Sequence, residues 1–185
     1  MILNIKNCTS VLSTQGAYFQ ELPSGGVNFF CSNSKSSELK ANTMAFKLLD
    51  CITNFEIDFN YKYKGKIKNW VCIVDLLFME NNLEEHLSIY LDENCNLIFE
   101  IKDSQQGFQS YMFAQINSDE PVSLHLKYDF MTFTVFKNYK EIFKIQLPYK
   151  IFYGFRIGLV AEKTNTNYQC FFDNISIDRG EICRS

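Results

Sequence analysis

The sequence predicts an all-β chain folded as a two-sheet antiparallel sandwich. Three observations predict it. From Phe55 onward, apolar side chains return at every second position in one short run after another, the period of a half-buried strand. Polar tips separate these runs at even spacing, as in a sandwich or barrel. The 185 residues include 18 Phe and 10 Tyr but only three prolines and eight glycines. Phe and Tyr favour strands and the cores between sheets. A chain of this length fits one domain, residues 1–185, and is long enough to bury a full core without disulfide or metal staples.

The elements follow in order. Residues 1–50 supply N-terminal strands and loops. Gln15–Phe19 and Pro23–Gly26 are turn-rich boundaries around a short strand. Val27–Cys31 is a second short strand, and the Ser-rich 32–37 stretch is loop. Residues 38–50 fit a helical turn or strands equally. Phe55, Ile57, Phe59 and Tyr61 alternate with Glu56, Asp58, Asn60 and Lys62, so one face is buried and one is polar. Lys62, Lys64, Lys66 and Lys68 read as a solvated hairpin tip. Trp70–Phe78 is apolar on both faces and belongs at the centre of a sheet. Leu87, Ile89 and Leu91 form the next strand. Asp92–Asn96 is a turn, and Leu97, Phe99 and Ile101 return from it. Phe108–Ile116, Val122–Tyr128 and Met131–Val135 follow. Asn138–Lys140 is a tip before Ile142–Leu147. Phe155, Ile157 and Leu159 precede a tip at 163–167 and a closing strand, Cys170–Asp178. There Ile175 and Ile177 share a face that strict alternation would also give to Asp173. A bulge at Asp173-Asn174 restores the phase. About a dozen strands result, in two sheets of roughly six or seven.

Composition excludes several classes. The net charge of −3 argues against a nucleic-acid groove, which needs clustered Lys and Arg. The longest apolar run, Trp70–Met79, contains Asp75 and is too short to cross a bilayer. No basic, apolar and small-residue leader pattern opens the chain, so it is expected to be cytoplasmic at synthesis. Export by another route, or after removal of a leader, stays open. The seven cysteines are widely spaced with no C-x-x-C pair, which argues against zinc. Cys72 and Cys170 sit within apolar strands as small hydrophobes. No Gly-x-Ser-x-Gly elbow and no Gly-rich phosphate loop is present.

Pro121-Val-Ser-Leu-His-Leu-Lys-Tyr-Asp129, Phe133-Thr-Val-Phe-Lys-Asn-Tyr139 and Ile142-Phe-Lys-Ile145 resemble the middle of a laminin-G-like jelly roll. Phe155-Arg-Ile-Gly-Leu-Val-Ala161 and Phe171-Phe-Asp-Asn-Ile-Ser-Ile177 resemble the strands that follow. The closing Phe-Asp-Asn-aliphatic pattern is similar to that of concanavalin A-like lectin and glucanase domains. The resemblance covers residues 51–180. It implies a bent jelly roll with a concave face, used by members of this superfamily for glycans, glycoside hydrolysis or protein binding.

Seven residues are candidates for a ligand site. Glu56-Ile-Asp58-Phe-Asn60 resembles the Glu-aliphatic-Asp-x-Glu signature of lichenase-type retaining glucanases, whose paired carboxylates lie roughly 5 Å apart. Asn60 stands where the last acid belongs, and Tyr61 stands at its place in the laminarinase variant. An amide can neither supply nor take the proton. The plainer reading is a solvated strand face. Trp70, the only tryptophan, offers a stacking plane for a sugar, or a core side chain. Tyr90 shares the polar side of its strand with His86, Ser88 and Asp92, a row that can bond hydroxyls or simply face water. His125, with Ser123 and Lys127, has the same standing. No cofactor is expected. Calcium is the one ion weighed, through Asp92, Asn94, Asp173 and Asn174, and their spacing matches no dedicated calcium loop.

These readings give a ranked expectation. The first is a non-catalytic binding domain for carbohydrate that uses Glu56, Asp58, Asn60, Trp70, His86, Tyr90 and Asp92. The second is a protein-interaction or assembly module. The third is a lichenase- or laminarinase-type hydrolase. The expected partner is a glycan or a protein, with no nucleic acid, no membrane insertion and no fixed oligomeric state.

Overall fold

The computed structural model describes residues 8–13, 17–31, 40–80, 83–103, 107–147, 151–161 and 168–179. In chain order its strands are β1 (Ser10–Ser13), β2 (Ala17–Glu21), β3 (Val27–Cys31), β4 (Lys40–Ile52), β5 (Asn54–Lys64), β6 (Trp70–Glu80) and β7 (Leu83–Asp92). Then come β8 (Asn96–Asp103), β9 (Gly107–Gln115), β10 (Val122–Asp129), β11 (Thr132–Lys137), β12 (Lys140–Gln146), β13 (Ile151–Ala161) and β14 (Tyr168–Arg179). They form two seven-stranded sheets, ordered β1-β4-β13-β6-β7-β8-β9 and β12-β11-β10-β5-β14-β3-β2. Every pairing is antiparallel. No helix is present among the described residues.

Alternation places the side chains. Along β5, Phe55, Ile57, Phe59, Tyr61 and Tyr63 point between the sheets, and Glu56, Asp58 and Asn60 point out. The sheets meet through aromatic contacts. Phe55 stacks on Phe152 at 3.9 Å and Phe99 on Phe133 at 4.8 Å, while Tyr128 lies 5.7 Å from Phe55 within the second sheet. All five rings are buried, and burying each side chain contributes about 1.5–3 kcal/mol. Deep in this core the Tyr61 and Tyr168 hydroxyls bond each other at 2.5 Å.

Residues 38–50, undecided from sequence, fall largely in β4, where Met44 and Phe46 join the core. The closing strand carries its bulge as expected. The register of β14 on β5 shifts between Asp173 and Ser176, and Asn174 takes a φ of 53°. The tip at 163–167 and the Ser-rich 32–37 stretch lie outside the described residues.

Strand β6 holds the middle of its sheet, and its apolar character on both sides has a local cause. Cys72 pairs with Tyr90 and Val74 with Ile89, so Ile73 is an extra residue. Ile73 and Val74 are both buried, and Trp70, Cys72 and Asp75 are left on the outer face. This bulge shapes the site.

Candidate functional site

The outer face of the first sheet carries a groove of about 600 Å³, within the usual range for small-molecule and glycan sites. Its floor is built by register. Arg156 of β13 lies opposite Asp75 of β6, which lies opposite Ser88 of β7, then Glu100 of β8 and Ser110 of β9. One polar residue from each of five adjacent strands thus lines up across the sheet. All of this row but Ser110 lines the groove, and Thr43, Gly158, Cys72, Trp70 and Tyr90 line it on one side of the row.

Hydrogen bonds fix the row. Ser88 Oγ donates to Asp75 Oδ1 at 3.0 Å, and Arg156 Nη2 donates to Asp75 Oδ2 at 2.5 Å. His86 Nδ1 lies 3.0 Å from the same Oδ2 and 2.7 Å from Arg156 Nη2. Asp75 is the most buried of the three, at 17% exposure, and both of its carboxylate oxygens are bonded. Arg156's side-chain bonds to Asp75 and to His86 both run through Nη2. On the other flank, Tyr90 Oη donates to Glu100 Oε2 at 3.1 Å, and Ser110 Oγ donates to the same oxygen at 3.3 Å.

His86 and Tyr90 lie two residues to either side of Ser88 on one face of β7. About 13 Å of strand separates their Cα atoms. Their tips nevertheless lean toward the Ser88 row, because His86 is held by Asp75 and Tyr90 by Glu100, and both of those acids sit opposite Ser88. Burial, with a further contribution from Glu100, raises the Tyr90 phenol above its usual pKa, so it keeps its proton at neutral pH. Burial, reinforced by the Asp75 charge, raises the Cys72 thiol far above the thiol range. Cys72 is therefore a wall of the groove and not a thiolate nucleophile.

The candidate residues named from sequence divide between two faces. Trp70, His86, Tyr90 and Asp92 belong to the first sheet, and Trp70 meets Tyr90 edge-on at 6.4 Å. Glu56, Asp58 and Asn60 project from β5 on the outer face of the second sheet. There Lys127 Nζ donates to Glu56 at 2.6 Å, and His125 Nδ1 lies 2.8 Å from Asp58. The sandwich thickness therefore keeps Glu56 and Asp58 away from Trp70 and Tyr90. Asp92 caps its own turn. Its Oδ1 accepts from the Asn94 and Asn96 amides, both at 2.9 Å, and its Oδ2 from Asn96 Nδ2 at 2.8 Å. Asp173 Oδ1 likewise accepts from the Asn174 amide at 2.9 Å. These oxygens accept hydrogen bonds within their own turns. Among the described residues no group of three His, Cys, Asp or Glu is placed to hold a metal ion.

Arg156, Asp75 and Glu100 were not singled out for chemistry by the sequence. The first two carry a signal in hindsight, each being the single charge in the middle of an otherwise apolar strand core.

No family model and no curated protein matches the sequence. Solved structures do match in fold. A family 7 alginate lyase, A1-II′, as a His-to-Asn and Tyr-to-Phe double variant in complex with a GGMG substrate, superposes with a TM-score of 0.69 at 10% identity, covering 94% of this chain and 85% of that one. The alginate lyase from Klebsiella pneumoniae gives 0.67 at 12% identity, covering 88% and 84%. Botulinum neurotoxin type C, described with two ganglioside molecules, gives 0.64 at 14% identity, covering 93% of this chain and 44% of that one. The fold is a concanavalin A-like jelly roll. At these identities the likeness is one of fold. It corrects the expectation of a non-catalytic binding domain, since sandwiches that match this one along most of their length are those of lyases, which are enzymes.

Proposed function

We propose that the groove of the first sheet is the active site of a polysaccharide lyase-type enzyme that cleaves an acidic, uronate-containing glycan. The observation that carries this reading is that Arg156 and Tyr90 line one groove, while His86 adjoins it across the Ser88 row, bonded to Asp75 of its floor and next to Arg156. Lyase cleavage removes the proton next to the uronate carboxylate, breaks the bond from the sugar to the glycosidic oxygen and forms a carbon–carbon double bond. Negative charge develops on the carboxylate as the proton leaves. A guanidinium suits that charge, because it binds carboxylates through paired N–H donors. Arg156 is held by Asp75 through Nη2, a bond that does not engage the Nη1 and Nε side of its guanidinium.

His86 is the base in this scheme, oriented by Asp75. Tyr90, kept protonated, passes its proton to the departing oxygen, and Trp70 beside it offers an aromatic face to the sugar ring. The likeness in fold to alginate lyases supports the scheme. So does the substrate complex of one of them having a histidine and a tyrosine replaced.

The test is incubation of the purified protein with alginate and other polyuronates, with a neutral β-glucan as control. The ultraviolet absorbance of the unsaturated uronate is followed. The absorbance is expected to rise with a polyuronate only, and Arg156→Met and Tyr90→Phe each to lower the rate by about 10²–10³-fold. A panel of polyuronates with no unsaturated product would overturn the proposal, as would full activity in a folded Arg156→Met protein.

A further inference from the structure

The two sheets have four edges, and three of them are blunted. β1 and β2 are only four and five residues long. β12 carries Lys140, Glu141 and Lys144, all exposed. Short strands and charges of this kind keep edges from pairing with other chains. The fourth edge, β9, is different. It runs nine residues, Gly-Phe-Gln-Ser-Tyr-Met-Phe-Ala-Gln, without one charge. No strand lies on its far side among the described residues. Phe108 and Met112 stand on its outer face at 68% and 69% exposure, among the most exposed large apolar side chains described.

We infer that β9 pairs with β9 of a second copy of this chain, antiparallel about a twofold axis at Ser110. The spacing of the strand selects this occupant and this register. Phe108 and Met112 lie two residues to either side of Ser110. An antiparallel pairing centred on Ser110 therefore sets Phe108 directly opposite Met112 of the second copy, and Met112 opposite its Phe108. Directly opposed side chains in an antiparallel pair sit close enough to pack. A shift of the register by two residues breaks both contacts. A self-complementary patch of this sort is what a twofold interface requires, and an uncharged strand meets its own copy without like-charge repulsion.

The pairing has a consequence for the groove. Opposed residues in a continuous sheet point to the same side. The two first sheets then form one surface with both grooves on one face, and the Phe108–Met112 contacts lie between them. The inference stands independently of the reaction proposed above.

Sedimentation of the reduced 185-residue protein over a wide concentration range tests it. The wild type is expected to dimerise. Phe108→Lys with Met112→Lys places like charges opposite each other twice and is expected to weaken the dimer by at least about tenfold. Phe108→Glu with Met112→Lys places opposite charges at the same two contacts and is expected to restore a dimer that weakens with salt. Both side chains are exposed in the monomer, so all variants are expected to fold, as checked by circular dichroism. A wild type that stays monomeric at every concentration overturns the inference. So does a Lys/Lys variant that dimerises normally, or a Glu/Lys variant that stays monomeric.

Discussion

The Tyr61–Tyr168 hydroxyl pair gives a test with an unusual signature. Both side chains are 1% exposed, and the oxygens are 2.5 Å apart inside the core. Tyr63 and Phe172 flank them at ring distances of 5.2–6.3 Å, so the surroundings are aromatic and offer little hydration. Tyr168→Phe removes one partner and leaves the Tyr61 hydroxyl buried without its bond. Leaving a buried hydroxyl unsatisfied costs about 1–3 kcal/mol, and Tyr61→Phe carries the same cost in reverse. Replacing both removes both polar groups while keeping both rings, so no unsatisfied group remains. The double variant is then expected within about 1 kcal/mol of the wild type, since a neutral hydrogen bond contributes only that much net. Two singles near 2 kcal/mol and a double near 1 make a coupling of about 3 kcal/mol. Urea unfolding of all four proteins, extrapolated linearly with a common slope, measures it. A double variant as unstable as the sum of the singles would refute the reasoning, because it would mean that each hydroxyl bonds to something else.

Two further predictions concern the same framework. Tyr61, Tyr63 and Tyr168 all have pKa values raised above 10.0, chiefly by burial. Above that pH the unfolded chain loses phenolic protons that the folded chain keeps, so stability is full below pH 10 and falls as pH rises beyond it. Unfolding midpoints from pH 8 to 11 check this, and the Tyr61→Phe, Tyr168→Phe double variant should show a shallower fall. Gly154 lies where β13 presses on β4, and a Cβ there would sit 2.5 Å from the Phe46 carbonyl oxygen and 3.0 Å from Lys47 Cα. Gly154→Ala is expected to cost about 1–3 kcal/mol and, by displacing the strand that carries Arg156, to reduce turnover in the polyuronate assay. Wild-type melting and turnover would show that the strand yields without cost.

The sequence by itself determined the class of fold. Period-two alternation is local, so β5, β7, β8 and β10 could be traced from their own residues, as could the bulge at Asp173-Asn174 that sets Ile175 and Ile177 inward. It could not decide residues 38–50, where Leu39, Met44, Phe46, Leu48 and Leu49 fit either period; pairing of β4 with β1 and β13 settles residues 40–50 as strand. The site was half legible. His86 and Tyr90 were visible as a polar row on one strand. Their partners were not, because Arg156, Asp75 and Glu100 come from strands up to 81 residues apart and meet only through cross-strand register. The same limit joined Glu56 and Asp58 to Trp70 and Tyr90 on paper. Alternation tells which residues leave the core, but not which of the two outer faces they reach. Only the strand order, with β5 in one sheet and β6 and β7 in the other, decides that.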